Sequence, residues 1–585
     1  MNIEINNDNL KNFLKGNNLL ILDYESIMSN NLTEDSKIEI IGIKDKTISL
    51  WITKVDQGQL KIEIKDCSFK GLFIEKSVLQ EFKVISTTVS EYIDAKFKMF
   101  KTYIDKSKIQ TVWTFNSTFY NGLLIRKQSE IEKVYIHGSK IDNSFTFVNS
   151  TSKEITVESS ILTAFSIDRM DYPDKGSRTT VDKINIFRTE ILRDLKIWET
   201  TFNNIHLHKI KLLKSDDLSD VFNVSHISAS ESAEKISGIK ITESALDKTI
   251  IISVKELSEL LAFDNNFKSF RLNFTKVTDF HFNNCRFSDS LYWGFQNCMK
   301  TIESFQFQNC ICDGDFYLSD TSFTEKLVVT GTKFNKYPSY FLHNYIDKTC
   351  HCDFEYSNLS NFVFQNINFM FFEFKNLDIS NAIFKDCRWS YKKEWLLKRV
   401  VIRDEKDAIE RNEDLVEIKD IYANLKNNFH KNNDYLMGGL FNISEQEIKR
   451  VQSKRDKSFF EFVLLSSHKF ISSYGENLSK PLLTIFFLMI SLSVIYLFTG
   501  FYSGERLVQY SFIFDLSNIK RTLLDYGNSI IFSLKNIVPF SMNSDFFLHS
   551  KESLTTTQTI EFFQKIFNLL FVTSFTGAFI KYLKK

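Results

Sequence analysis

The chain has 585 residues, among them 58 Phe, 18 Gly and only 4 Pro, and its 73 Lys and Arg against 72 Asp and Glu leave a formal charge of +1. So many aromatic residues at so small a net charge exclude intrinsic disorder, and the scarcity of Pro and Gly excludes collagen-like and other Pro/Gly-rich repeats. A near-neutral chain has no global attraction for phosphate backbones, so nucleic acid is not an expected partner.

The first segment, Met1 to Asn17, is polar and mixed in charge and lacks the apolar stretch of a secretory signal. Residues 1–35 read as a partly helical cap for the repeat that follows. From 36 to 390 short segments of the form Ser/Thr-x-apolar recur: Ser107-Lys108-Ile109, Ser117-Thr118-Phe119, Ser139-Lys140-Ile141, Ser159-Ser160-Ile161, Thr189-Glu190-Ile191 and Thr200-Thr201-Phe202. Phe69, Val89 and Ile109 are spaced by 20 residues, as are Ile141 and Ile161. The 30-residue gap from Ile161 to Ile191 leaves room for an excursion at Asp171 to Asp182, which contains Pro173 and Gly176.

The clearest repeat lies between Cys352 and Trp389. Large apolar residues recur every five positions, at Phe354, Leu359, Phe364, Phe369, Phe374, Ile379, Phe384 and Trp389. Two residues before each stands another: Cys352, Ser357, Phe362, Ile367, Phe372, Leu377, Ala382 and Cys387. A period of five matches neither the helix nor the strand. It suits a chain that turns a corner every five residues and sends two side chains inward per side. Phe280/Phe282 with Cys285/Phe287, and Phe305/Phe307 with Cys310/Cys312, carry the same idea in degenerate form.

This frame resembles the pentapeptide-repeat family, and the resemblance implies a right-handed quadrilateral β-solenoid. Twenty residues then make one turn of four sides. Phe362 and Phe372 stand where the family prefers Ala or Cys, so the coil should be swollen there. The inward Phe residues read as a stacked core. The eight cysteines, Cys67, Cys285, Cys298, Cys310, Cys312, Cys350, Cys352 and Cys387, read as small buried hydrophobes in a reducing compartment. The C-x-C spacing lacks the usual zinc-ligand pattern, and no metal or cofactor is expected.

After Trp389 the composition becomes charged. Trp395, Leu396, Val400 and Val401, then Leu415, Ile418, Ile421, Tyr422, Leu425 and Phe429, recur at helical spacing, and a second run follows Asn432-Asn433-Asp434. Residues 391–478 are therefore expected to form a helical hairpin. Ile421 to Phe429, Asn433-Asp434-Tyr435, Gly438 and Phe441, followed by Tyr474-Gly475-Glu476, resemble a segment of bacterial pentapeptide-repeat membrane proteins. In those a tetratricopeptide-like hairpin joins the repeat to membrane helices.

Residues 479–585 form the apolar end. Pro481 to Gly504 carries no charge over 24 residues, enough to cross about 30 Å of hydrocarbon. Ile566 to Ile580 is shorter but extends upstream through Phe562, Phe563 and Lys565, giving expected spans at about 481–504 and 562–581. Lys454, Arg455, Lys457, Lys469 and Lys480 precede the first span, and Lys581, Lys584 and Lys585 follow the second. The positive-inside rule then puts both termini in the cytoplasm of a cell with an inner membrane. Between the spans, Tyr526 to Met542 is apolar and too short to cross, and reads as a re-entrant segment or a helix lying on the membrane. Ser529, Ser533, Asn536 and Pro539 are the pore-lining candidates, although the first three could equally face a neighbouring helix. The order of elements resembles the pore module of two-span cation channels, but Asn536-Ile537-Val538-Pro539-Phe540 replaces the T-V-G-Y-G-like filter, so potassium selectivity is not implied.

No P-loop, G-x-G-x-x-G, G-x-S-x-G or H-E-x-x-H pattern occurs in a fitting context, and an enzyme is not expected. The sequence thus points to a solenoid that binds or senses a trigger, coupled to an oligomeric pore, a tetramer by resemblance. Bacterial stress or phage defence is a plausible setting. The alternative is a membrane-anchored scaffold whose solenoid holds a protein partner.

Overall fold

The computed structural model describes residues 2–5, 8, 19–23, 37–43, 49–53, 61–85, 87–120, 122–168, 179–213, 224–229, 235–293, 299–336, 338–394, 397–503, 506–510, 519–536, 548–549 and 555–583. The chain divides into two compact units, Met1–Arg388 and Trp389–Lys585.

The first unit is a parallel β-solenoid. Among the described residues, 36 strands join one parallel ladder. Each strand bonds the strand one turn before and one turn after, which satisfies its backbone donors and acceptors. Because pairing is parallel and in register, a residue meets its counterpart in the next turn. One inward column runs Ile5, Ile40, Ile64, Val84, Ile104, Ile125, Phe147, Ile167, Ile197, Ile227, Ile252, Leu272, Trp293, Leu318, Phe341, Phe364 and Phe384. Aliphatic residues fill its early turns and rings dominate its last ones. In the later turns the rings stack: Phe280 on Phe305 at 4.8 Å, Phe267 on Phe287 at 5.2 Å and Phe364 on Phe384 at 5.4 Å.

The corners follow a second rule. A left-handed residue, such as Lys106, Asn116, Asn149 or Glu243, precedes a buried small polar one. Asn and Asp tolerate this backbone better than most side chains. The buried side chain then links turns. Ser107 Oγ donates to Asp105 O at 2.8 Å and accepts from the Thr87 N–H at 3.3 Å, while the Ser107 N–H donates to Ser129 Oγ at 3.3 Å. The partners lie 20 to 25 residues apart where the turn is short, as for Thr87 with Ser107 or Thr332 with Ser357, and 30 to 34 where an excursion intervenes. Cysteines occupy the same corner. Cys285 Sγ donates to Asn283 O and Ala262 O at 3.4 and 3.5 Å, and Cys67 and Cys387 do likewise. Burial pushes the Cys67 and Cys387 thiols up to about 11. Cys298 lies outside the described residues.

Several expectations need correction. Phe69, Val89 and Ile109 do form one column, but Ile141 pairs with Leu162, and Ile161 is 41% exposed. Two serines stand in succession there. Ser159 takes the left-handed corner and Ser160 the buried position, so the inward residue falls one place later. In the segment read as a partly helical cap, the described pieces Asn2–Ile5 and Leu19–Asp23 are strands of the ladder. The excursion expected to run to Asp182 has ended by Thr180, where a strand begins, and residues 171–178 lie outside the described residues. Between Cys352 and Arg388 the five-residue frame makes turns of 20, pairing Cys352 with Phe372, Asn358 with Asp378 and Phe364 with Phe384. Phe354, Leu359, Phe364, Phe369, Phe374 and Ile379 are buried, and Phe384 is half-buried. Trp389 is buried in the second unit, edge-on to Phe429 and Phe441.

The second unit opens with an antiparallel β-hairpin, Tyr391–Glu394 with Leu397–Val400, where a helix was expected. The alternation of buried Leu397 and Arg399 with exposed Lys398 is the period of a strand. Helices α1 (Arg403–Glu410), α2 (Val416–Lys431), α3 (Tyr435–Arg455) and α4 (Phe459–Ser472) follow. The Asp434 carboxylate caps α3 by accepting from the Met437 N–H at 3.0 Å. Beyond them come α5 (Ser479–Thr499), α6 (Ile519–Lys535) and α7 (Thr555–Leu583).

The register assigned here separates neighbouring residues sharply. Leu162→Ala should cost about 2–5 kcal/mol in chemical denaturation, and Ile161→Ala should stay within about 0.5 kcal/mol. Equal effects would show that the register is wrong.

Candidate membrane module

Helix α5 is apolar on every side, the pattern of a helix buried in protein or in lipid. The chain itself covers little of it. The most apolar windows of α5 and of Thr555–Ile580 in α7 have mean hydropathies of 2.4 and 1.3, and only 22% of each is buried. Phe486, Phe487, Phe562 and Phe563 are more than half exposed. A soluble core helix would bury such a surface. Both helices are thus long and apolar enough to cross a bilayer. The first ends earlier than expected, at Thr499, where Gly500 turns the chain at φ +93° into a small sheet, Phe501–Ser503 with Arg506–Val508. The second begins earlier, at Thr555. Thr557 Oγ1 donates to Gly500 O at 2.8 Å, tying the end of α5 to the start of α7.

Helix α6 is bound between them by a buried polar seam. At its outer side the Asp525 carboxylate accepts from Arg506 at 3.0 Å and Tyr510 at 2.7 Å. Farther along, Ser529 donates to Ser493 O of α5, and Ser533 donates to Met489 O at 3.1 Å. As α6 advances, its partners step back along α5, so the two helices run antiparallel. Gln564 of α7 donates to Ser533 O at 2.9 Å and Oγ at 2.8 Å, and accepts from the Tyr496 hydroxyl at 2.7 Å. Asn568 donates to Asn536 O at 3.0 Å. Phe532 packs edge-on to Tyr496 at 4.9 Å and stacks on Phe501 at 5.5 Å.

The structure therefore gathers Ser529, Ser533 and Asn536 on one face, each almost fully buried, and turns that face to α5 and α7 of the same chain. Pro539 lies outside the described residues. Sequence reasoning missed Gln564, absorbed into the extension of the second span, and Asn568, inside the span itself. Their separation of four within an apolar run was the available signal.

Before α5 lies a second polar cluster, around Glu447 of α3. This carboxylate accepts from Tyr474 at 2.5 Å and from Arg450 and Lys469 at 3.0 Å. Lys469 of α4 also donates to Glu394 of the hairpin at 2.7 Å. Ser473, Tyr474 and Gly475 are successive left-handed residues, making a sharp elbow. Glu476 accepts from Asn442 at 2.9 Å and lies against Gly439, where a Cβ would stand 2.5 Å from Glu476 Oε2 and push that carboxylate aside. The Lys469 ammonium draws the Glu394 carboxyl down to about 2. Burial works against ionisation of Glu447, but hydrogen bonds from Arg450, Tyr474 and Lys469 hold its carboxyl below the usual range. A separate buried pair joins Arg399 to Glu405 at 2.7 and 2.8 Å, with the Tyr422 hydroxyl on the same carboxylate.

Comparison with protein families, with curated proteins and with solved structures returns no match. The arrangement is a β-solenoid followed by helices, two of them candidate spans, and it is compatible with a membrane-anchored solenoid protein.

Gln564→Leu removes both links of the seam at Ser533, and should lower stability in detergent by about 1–2 kcal/mol, read as a shift of the thermal midpoint. At the elbow, both carboxyls titrate lower in the folded chain than in the unfolded one. Their contribution is complete above the unfolded value of about 4.5 and fades as pH falls towards about 2 for Glu394. Lys469→Met should raise the pH at which helical circular dichroism is lost on acidification.

Proposed function

We propose that the chain is a membrane protein whose cytoplasmic solenoid binds or senses a trigger and biases an oligomeric, ion-channel-like pore. The observation that carries this reading is the reach of α6. Met489 stands at the centre of α5, and Asn568 stands at the centre of the second candidate span. The C-terminal end of α6 bonds both, through Ser533 and Asn536. With α5 and α7 across a bilayer, α6 enters from the far side and stops near the midplane. A helix lying flat on the membrane would have no such partners.

Two spans and one short helix do not enclose a lumen, so the reading requires a homo-oligomer, a tetramer by resemblance to two-span channels. Seam residues Ser529 and Ser533 hold the subunit together rather than facing a lumen. Basic residues before the first span and after the second favour cytoplasmic termini and the inner membrane. Turns of 20 residues near the end of the solenoid support the right-handed quadrilateral coil of bacterial pentapeptide-repeat proteins. On this reading the protein is not an enzyme, and stress or phage defence is its proposed setting.

A second reading is favoured by the seam itself. The hydroxyls of Ser529 and Ser533 are satisfied within one chain, as in a self-contained anchor that tethers a scaffold. Purified full-length protein in liposomes separates the two. The pore reading expects cation or anion flux from a species several times the mass of one chain in detergent. A monomer with no flux under any ionic condition would leave only the scaffold.

A further inference from the structure

Several outward cations of the solenoid are paired with carboxylates one turn away: Lys108 with Glu130 at 2.9 Å, Lys153 with Glu132 at 2.6 Å, Lys209 with Glu243 at 3.0 Å and Lys276 with Glu303 at 2.5 Å. At one place two cations without such a partner among the described residues flank a groove. The strands Thr180–Phe187, Asn204–His208 and Ile236–Thr242 lie side by side, and Glu256–Phe263 follows. Across them the register sets Lys183, Asn204, Gly238 and Glu259 in one outward row, and Asn185, His206, Lys240 and Leu261 in the next. Lys183 and Lys240 form no ion pair among the described residues. Glu154 stands opposite Lys183 in the preceding turn, but it accepts from Asn185 at 2.9 Å.

Gly238 leaves this row without a side chain, and a cavity of about 470 Å³ opens over it, walled by Lys183, Phe187, Asn204, His206, Lys240 and Glu259. That volume suits a small organic ligand. The His206 ring sits 5.1 Å from Phe187, edge-on, and has no hydrogen-bond partner among the described residues. Burial, with Lys240 nearby, lowers the basicity of His206, so it offers an uncharged planar ring.

We propose that this groove is a binding site for a small aromatic anion, its phosphate or carboxylate held between Lys183 and Lys240 and its ring against His206 and Phe187. The Asn204 amide and the Glu259 carboxylate would take the ligand's acceptors and hydroxyl donors. The proposal deepens the sensing role proposed above by naming the class of trigger. The binding itself requires no pore.

The test is equilibrium binding by calorimetry to the purified full-length chain in detergent, with phenyl phosphate, AMP and inorganic phosphate as probes. Saturable binding of either aromatic phosphate, tighter than that of inorganic phosphate, is expected. Joint Lys183→Ala and Lys240→Ala substitution should weaken it about tenfold or more. Gly238→Leu should also abolish it by filling the groove. A Cβ at Gly238 meets nothing nearer than 3.5 Å, so that variant should fold normally, which its thermal midpoint checks. Lys276→Ala, on an already paired cation, should leave binding unchanged. Absence of saturable binding by the unaltered chain, or binding indifferent to both groove variants, overturns the proposal. Failure of the pore reading would show as absent flux with binding intact.

Discussion

Parallel, in-register pairing between successive turns is the constraint on which the first unit depends. It places each inward side chain against the equivalent side chain of the turn before, so the core is a set of columns rather than a three-dimensional jigsaw. A column accepts Ile, Val, Leu or Phe, provided its neighbours leave the volume. Ile5 to Phe384 is one such column, and it changes from aliphatic to largely aromatic while each member still pairs with the next. Rings that meet this way stack at the turn spacing, as Phe280 does on Phe305. The corner imposes the complementary demand. The residue that follows the left-handed one has a backbone N–H that the ladder does not satisfy, and the next turn supplies a buried oxygen for it. Ser, Thr and Asn do so directly. Cys285 keeps the donor half of that pattern, which explains buried thiols without any appeal to a metal. Corners also tolerate excursions, since the cost of closing a longer loop grows slowly with its length.

This division explains what could be read from the sequence. The frame from Cys352 to Cys387 was legible because eight sides follow one another without insertion. Phe69, Val89 and Ile109 were legible because their turns are uninterrupted. Ile161 was misplaced because the motif was aligned on the first of two serines, and only the backbone reveals which one takes the left-handed position. The Asn and Asp residues before many corner positions were the missed signal. In the second unit, helical spacing correctly located α2 and α3 but overran the hairpin at Tyr391–Val400, where ten residues are too few to distinguish the two periods.

The helical module obeys a different rule. Apolar helices have nothing to gain from hiding apolar surface from lipid, so polar groups and shape decide which helices associate. Ser529 and Ser533 were visible as a polar face of α6, but a face does not name its partner. The partners are carbonyls of α5, which no sequence pattern marks, and the side chains of Gln564 and Asn568 in α7. Each of these polar atoms would be costly to leave unmet in hydrocarbon. The seam therefore makes α6 dependent on both long helices at once.

The elbow before α5 shows the same economy with charges. Glu447 is reached by Tyr474 from the elbow, by Lys469 from α4 and by Arg450 from its own helix. Lys469 carries the link on to the hairpin through Glu394, and its own carbonyl accepts from Lys480 of α5. Three left-handed residues, together with Glu476 against Gly439, leave the backbone little freedom to swivel at this point. A displacement of α4 must then either carry the start of α5 with it or break the bonds at Glu447. Because that carboxylate is buried, breaking them strands a charge in a poorly solvated place, which is more costly than losing an exposed pair. Rigid-body movement of α4 with α5 is the lower-energy course, and α5 is thereby mechanically joined to the helices that precede it.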